Sequence, residues 1–166
     1  MTSRGAGKGG KAAAGDGIKV IATNRRARFD FDVEDRYEAG LSLTGSEVKS
    51  LRAGNVSLSD AYALPKGTEL VLVNCRIGEY QPAAVFGHAP LRDRKLLLRR
   101  EEIDKIRGKV EHRGYTLVPL QIYFKQGWAK VEIALAKGRK HEDRRDAIAE
   151  RETKREMDRA MARKRR

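Results

Sequence analysis

The chain of 166 residues has a single cysteine, Cys75. One thiol excludes an internal disulfide and any cysteine-rich zinc site, and it suits a reducing compartment. Long apolar runs are missing as well. Runs such as Leu96 to Leu98 are far below the roughly 18 residues a membrane-spanning helix needs. The first seventeen residues carry Arg4, Lys8 and Lys11 but no apolar h-region, so no secretory signal is read and a soluble, cytoplasmic chain with no membrane partner is expected.

The residues that chemistry needs are equally sparse. His88, His112 and His141 include no pair at the helical spacing of a metal site, and no G-x-x-x-x-G-K phosphate loop occurs. Ser57, Ser59 and Asp60 bring no histidine with them. The adjacent acids Glu101 and Glu102 fall at a helix start, where carboxylates favour the macrodipole. The expectation is a protein that is not an enzyme and has no cofactor and no metal.

What is abundant is positive charge. Lys and Arg number 36 against 23 Asp and Glu, a formal +13 with a pI near 10.1. Charge of that sign does not help a compact fold, so an anionic partner is expected. About +2 falls in residues 1–17, +5 in 18–136 and +6 in 137–166. A membrane surface would need an aromatic or Leu-rich face on the terminal segment, which has none. Nucleic acid is the better match, although charge runs often mark no more than a solvated face.

Three segments emerge. Residues 1–17 are Gly, Ala, Lys and Ser with no aromatic, and read as a disordered arm. Residues 18–136 read as a small antiparallel β-barrel of the oligonucleotide-binding type, mainly β with about six strands and two to three helices. Within it, IKVIA is followed by a strand in which Phe29, Phe31 and Val33 alternate with Asp30 and Asp32, and by a hairpin around residues 34–36. Residues 37–54, YEAGLSLTGSEVKSLRAG, predict a strand running into a short helix. Thr44 and Glu47 have capping-box spacing, Val48 and Leu51 supply the docking face, and Gly54 is the stop. Strands over 58–64 and 69–77 are joined at Pro65-Lys66-Gly67. Residues 78–90 form a loop whose Val85 and Phe86 rest on the core or on a partner. Residues 101–110 predict a helix with Ile103, Ile106 and Val110 on one face, stopped near Gly114. Strands over 115–125 and 129–137 turn at Gln126-Gly127, with Pro119 at a bulge or edge.

Residues 137–166 differ in kind, with thirteen Lys and Arg, seven Asp and Glu, no Pro, and only Ile148, Met157 and Met161 as larger apolar residues. No stripe is wide enough to dock on a barrel. A tail that is disordered alone and helical on a phosphate-lined surface is expected. Taken singly, the other candidates are ambiguous. Cys75 reads as a small buried apolar residue. Trp128 suits stacking on a base or packing over the barrel mouth. Tyr37, Tyr80, Tyr115 and Tyr123 make no paired stacking platform. Asn24, Glu38 and Asp60 read on pattern alone as turn or cap residues.

Longer motifs say more. NRRARFDF from Asn24, the stretch 37–54, LSDAYAL at 58–64, RKLLL at 94–98, GYTLVPLQIYFKQGWAKVEIALAKGRK at 114–140 and Asp143-Arg144-Arg145 resemble, in order, the SsrA-binding protein family, also called small protein B. The resemblance implies a monomeric, bacterial RNA-binding adaptor of trans-translation. Its partners would be the transfer-RNA-like domain of transfer-messenger RNA (SsrA RNA) and the small-subunit ribosomal RNA of a stalled ribosome. It places RNA contacts at Asn24, Glu38 and Leu97, with Arg25, Arg26, Arg94 and Lys95 toward phosphates. It places decoding-site contacts at Gly138, Arg139, Lys140, Asp143, Arg144 and Arg145, the tail being helical on the ribosome. The family's aromatic slot before the Asp-Arg-Arg triplet holds Glu142 here, with His141 one residue earlier; a carboxylate cannot stack on a base, so stacking would fall to His141. The alternative reading is a general ribosome-associated or single-stranded nucleic-acid-binding barrel.

Overall fold

The computed structural model describes residues 17–80, 87–112, 114–139 and 141–164, with side chains in the last segment for 145–162. The expected disordered arm, apart from Gly17, lies outside the described residues, as do Val85 and Phe86.

The longest element is a hairpin. Strands β8 (Tyr115–Lys125) and β9 (Trp128–Gly138) pair along their whole length. Their two-residue turn has Gln126 at φ 51 and Gly127 at φ 79, the all-positive φ pattern whose twist matches that of the flanking strands. The register slips between Pro119 and Gln121, which is the bulge a proline without an N–H requires.

Around this hairpin the sheet closes on itself. Strand β2 (Phe31–Leu41) pairs with β9, β7 (Arg94–Leu97) with β2, β5 (Glu69–Val73) with β7, β4 (Tyr62–Lys66) with β5, and β8 with β4. The result is a ring of six strands, all pairings antiparallel, with β1 (Ile18–Thr23) attached to β8 outside the ring. Two seams are narrow. One is the β4–β8 pair Ala63 with Leu117, and the other joins β2 to β7 through Gly40 with Leu97 and Leu41 with Leu96. A Cβ at Gly40 would stand 3.2 Å from Leu97 Cβ, so glycine permits this close crossing.

The interior holds Leu70, Leu72, Leu96, Leu117, Ile122, Val131 and Ile133, each at most 1% exposed. Two helices cover it. Helix α2 (Gly45–Arg52) starts with the Glu47 carboxylate accepting the Thr44 N–H at 2.9 Å and inserts Leu51; Gly54 follows at φ +77, as predicted. Helix α3 (Arg100–Val110) inserts Ile106. A two-stranded patch of β3 (Val56–Ser57) and β6 (Arg76–Ile77) lies beside the ring.

The structure corrects several local expectations. Phe29 and Asp30 are helical, in α1 (Arg25–Asp30), and the strand begins only at Phe31. No hairpin interrupts residues 34–36: β2 runs straight through, and a register shift between Val33 and Asp35 absorbs the extra residue. Pro65 and Lys66 lie within β4, so the turn is displaced to Gly67, at φ +60. The expected 69–77 strand breaks at Asn74, whose φ is 56, and the 58–64 strand starts only at Tyr62.

The tail follows β9 as α4 (His141–Lys164). Its residues from Ile148 to Ala162 are all exposed.

Candidate nucleic-acid interface

One open groove, about 830 Å³, crosses the outer face of the barrel where β2, β7 and β9 meet the start of α3. Glu38 enters it from β2, Lys95 and Leu97 from β7, Lys130 from β9, and Arg99 and Arg100 from the α3 entry. The strand period explains the selection. In β7 the burial alternates, with Arg94 and Leu96 inside and Lys95 and Leu97 outside. Leu97 is 51% exposed, an apolar surface ringed by four cations. Lys95 is paired with the carboxylate of Glu69 on the neighbouring strand.

Three carboxylates line the groove with these cations: Glu69 is taken up by Lys95, Glu102 accepts the Arg99 N–H at the α3 entry, and the third is Glu38. The Tyr123 hydroxyl donates to its carboxylate, and Lys125 Nζ lies 3.5 Å away. Chiefly through the Tyr123 hydrogen bond, and against the opposing effect of burial, its carboxyl is held below the usual carboxylate range; Lys125 and Lys130 add to the effect. Burial and the Glu38 charge push the Tyr123 hydroxyl up in turn. At neutral pH the groove thus presents a fixed carboxylate among lysines and arginines. The cations suit phosphates, while the carboxylate repels phosphate and accepts from base amino groups or ribose hydroxyls.

Asn24, Arg25 and Arg26 lie elsewhere. Across the sheet the row runs from Glu38 to Glu132, Gln121 and Thr23. Three strand spacings, roughly 14 Å, therefore separate Glu38 from the start of α1. Arg25 and Arg26 are exposed, Arg26 pairing with Asp30 at 3.1 Å. Asn24 is 5% exposed and fully engaged. Its amide nitrogen donates to the Leu58 and Pro119 carbonyls, both at 3.1 Å, and its oxygen caps α1 through the Ala27 N–H at 3.0 Å. As placed, it ties three segments together and offers no free polar atom from its side-chain nitrogen.

The assignment of Arg94 to phosphate is corrected. Its side chain is 0% exposed, and its guanidinium donates to Glu47 Oε1 at 2.9 Å and to the carbonyls of Cys75, Arg92 and Pro90 at 2.6, 2.9 and 3.2 Å. Glu47 is equally buried and also receives Arg92 at 2.7 Å. Burial would raise the Glu47 carboxyl, but the hydrogen bonds from Arg92 and Thr44 and the charges of Arg94 and Arg92 outweigh it and hold the group low. Cys75 is buried beside this network, its thiol pushed up to about 11 by burial, consistent with the small apolar role read from sequence.

In the tail segment, Gly138 is the last residue of β9, paired with Phe31. Arg139 is bonded to Asp32 at 2.8 Å. Lys140 lies outside the described residues, as do the side chains of His141, Glu142, Asp143 and Arg144; Arg145 is exposed on α4. Trp128 is 73% exposed at the hairpin tip, so it does not pack over the barrel mouth. Sequence reasoning missed Arg99, Arg100, Lys130, Tyr123 and Lys125. The strand registers bring in Lys130, opposite Gly40, and Tyr123, opposite Lys130, while Arg99 and Arg100 join them through the packing of the α3 entry on the barrel.

A six-stranded barrel with an ionised carboxylate and four cations around one exposed leucine, continued by a solvated basic helix, is a nucleic-acid-binding barrel protein in its fold and charge. The model of the SmpB protein family matches residues 21–163, and the chain belongs to that family. It is 72% identical to the SsrA-binding protein of Anaeromyxobacter sp. (strain Fw109-5) over 166 residues, the whole of both chains. It is 60% identical to that of Myxococcus xanthus (strain DK1622) over 164 residues, 99% of this chain and 100% of the relative. A solved structure from the work "tmRNA-SmpB: a journey to the center of the bacterial ribosome" matches with a TM-score of 0.63 at 44% identity, covering 76% of this chain and 93% of the other.

Proposed function

We propose that the chain is a non-enzymatic RNA-binding adaptor of ribosome rescue. Its barrel holds the transfer-RNA-like domain of transfer-messenger RNA, and its tail engages the small-subunit RNA of a ribosome whose decoding site is empty. The observation that carries the reading is the groove in which Glu38 and Leu97 sit among Lys95, Arg99, Arg100 and Lys130. An RNA elbow is recognised by shape, by phosphate contacts and by a few polar contacts to bases and ribose, and this groove supplies each kind of group. The names of the relatives and of the solved structure support the same partner. Arg25 and Arg26 extend the basic surface around α1. Asn24 and Arg94 serve the site by holding its frame. In the tail, Lys140, His141, Asp143, Arg144 and Arg145 are the proposed ribosomal contacts, with the tail helix lying on phosphate.

Removing residues 141–166 tests the division of labour. The shortened chain is expected to keep its affinity and salt slope for transfer-messenger RNA while losing tagging of incomplete proteins on stalled ribosomes. A general single-strand binder would lose affinity and salt slope together, and equal affinity for transfer-messenger RNA and a message of the same length would refute the proposed partner.

A further inference from the structure

The join between barrel and tail is more elaborate than a basic tail needs. The β2–β9 ladder persists to Phe31 with Gly138, and the next amide, Arg139 N–H, donates to the Asp30 carbonyl at 2.9 Å. Backbone bonds therefore fix the point of exit. Beyond it, Arg139 Nε donates to Asp32 Oδ1 at 2.8 Å, with the arginine side chain only 23% exposed. Three turns along α4, the Arg151 guanidinium lies 5.8 Å from the centre of the Phe29 ring. Between these points Ala147 is half-buried, and Asp146, Ala147 and Glu150 line a recess with Asp32 and Arg139. Positions 146, 147, 150 and 151 share one face of a helix.

We propose that α1 and the start of β2 form a seat that sets the direction in which the tail helix leaves the barrel, with Arg139 and Arg151 acting as positioning residues rather than phosphate contacts. Phe29 is the contact surface of the seat, and Asp32 is its anchor. From Arg151 to Lys164 the helix projects roughly 20 Å beyond the seat, with every described residue there exposed. An exposed ion pair and an exposed cation–π contact each contribute a few-fold bias, so together they favour the seated helix by roughly tenfold. That is enough to aim the tail and little enough for a phosphate-lined surface to displace it.

The test measures the distance between barrel and tail in the full-length protein without RNA. Spin labels are placed at Lys105→Cys on α3 and Glu156→Cys on α4; the buried Cys75 thiol stays unlabelled. Pulsed electron–electron resonance is expected to give one dominant narrow distance. Asp32→Asn combined with Arg151→Gln, both surface changes, should cut that population from about nine-tenths to about half or less, as loss of a roughly tenfold bias requires. The charge exchange Asp32→Arg with Arg139→Asp, made with Arg151 retained, should keep it near the parent value. A broad distribution in the labelled parent, or a narrow one that ignores Asp32→Asn with Arg151→Gln, would overturn the seat.

Discussion

Arg94→Met separates a structural arginine from an RNA-binding one. The substitution removes four hydrogen bonds, to Glu47 and to the carbonyls of Cys75, Arg92 and Pro90. It leaves Glu47, 0% exposed, with Arg92 as its remaining cation. Breaking one partner out of a buried pair costs about 3–5 kcal/mol, because the other charge stays buried. The surviving Arg92 pair, on a side chain 39% exposed, places the loss near the lower end, about 3 kcal/mol. At about 2–4 °C per kcal/mol for a chain of this size, Tm should fall by roughly 6–12 °C. Differential scanning calorimetry reads the loss. Binding to transfer-messenger RNA is then measured well below the lowered Tm over a series of salt concentrations. A phosphate contact would reduce the salt slope by about one on removal; a framework residue leaves both slope and affinity unchanged. A Tm within about 2 °C of the parent, together with a reduced salt slope, would refute the argument and return Arg94 to the interface.

Three further outcomes follow from the same geometry. Glu38→Ala removes a carboxylate at the surface, so stability should change by about 1 kcal/mol or less while affinity for transfer-messenger RNA falls; Tyr123→Phe, followed by NMR titration, should let the Glu38 carboxyl rise toward its ordinary value. Asn24→Ala deletes the α1 cap and leaves the Leu58 and Pro119 carbonyls without their donor, a loss of roughly 2–4 kcal/mol in chemical denaturation. Glu47 has a folded-state pKa below its unfolded value, so its contribution is present above the ordinary carboxylate pKa and is lost as pH falls through the folded one. Glu47→Gln should flatten that acid limb of the stability curve, measured by urea unfolding at each pH, while lowering stability at neutral pH.

The elements that were legible in the sequence are those whose own residues decide their form. The β8–β9 hairpin is written in the alternation of Val131, Ile133 and Leu135 and in Gln126-Gly127, and α2 in the Thr44–Glu47 spacing. Helix α1 is different. Its six residues, RRARFD, carry no helical stripe, and FDFDV mimics a strand; the helix exists because Asn24 is tied to segments distant in sequence, at Leu58 and Pro119. Likewise, nothing local separates residues 69–77 into two strands, since the break is only two residues, Asn74 and Cys75, with Asn74 at positive φ. In the groove, Lys130, Arg99 and Arg100 come from β9 and the α3 entry, and their meeting with Glu38 depends on pairings that sequence spacing does not encode.

Arg94 is a case where the signal was present and outweighed. In Arg94-Lys95-Leu96-Leu97 a period of two sends either Arg94 and Leu96 or Lys95 and Leu97 to the core, so two of these residues could not both be surface cations on one face. What decides the choice is Glu47, 47 residues earlier, which waits inside as the counter-charge. The two glutamates of stretch 37–54 thus have opposite roles set by burial. Glu38 leaves β2 for the solvent-facing groove, where lysines and one tyrosine keep it ionised, as its proposed RNA contact requires. Glu47 is folded inward by the cap of α2, where two arginines keep it ionised and pin β7 beneath the helix. The same strand that carries Arg94 inward carries Lys95 and Leu97 outward, so the buried pair fixes which face of β7 the proposed RNA groove receives.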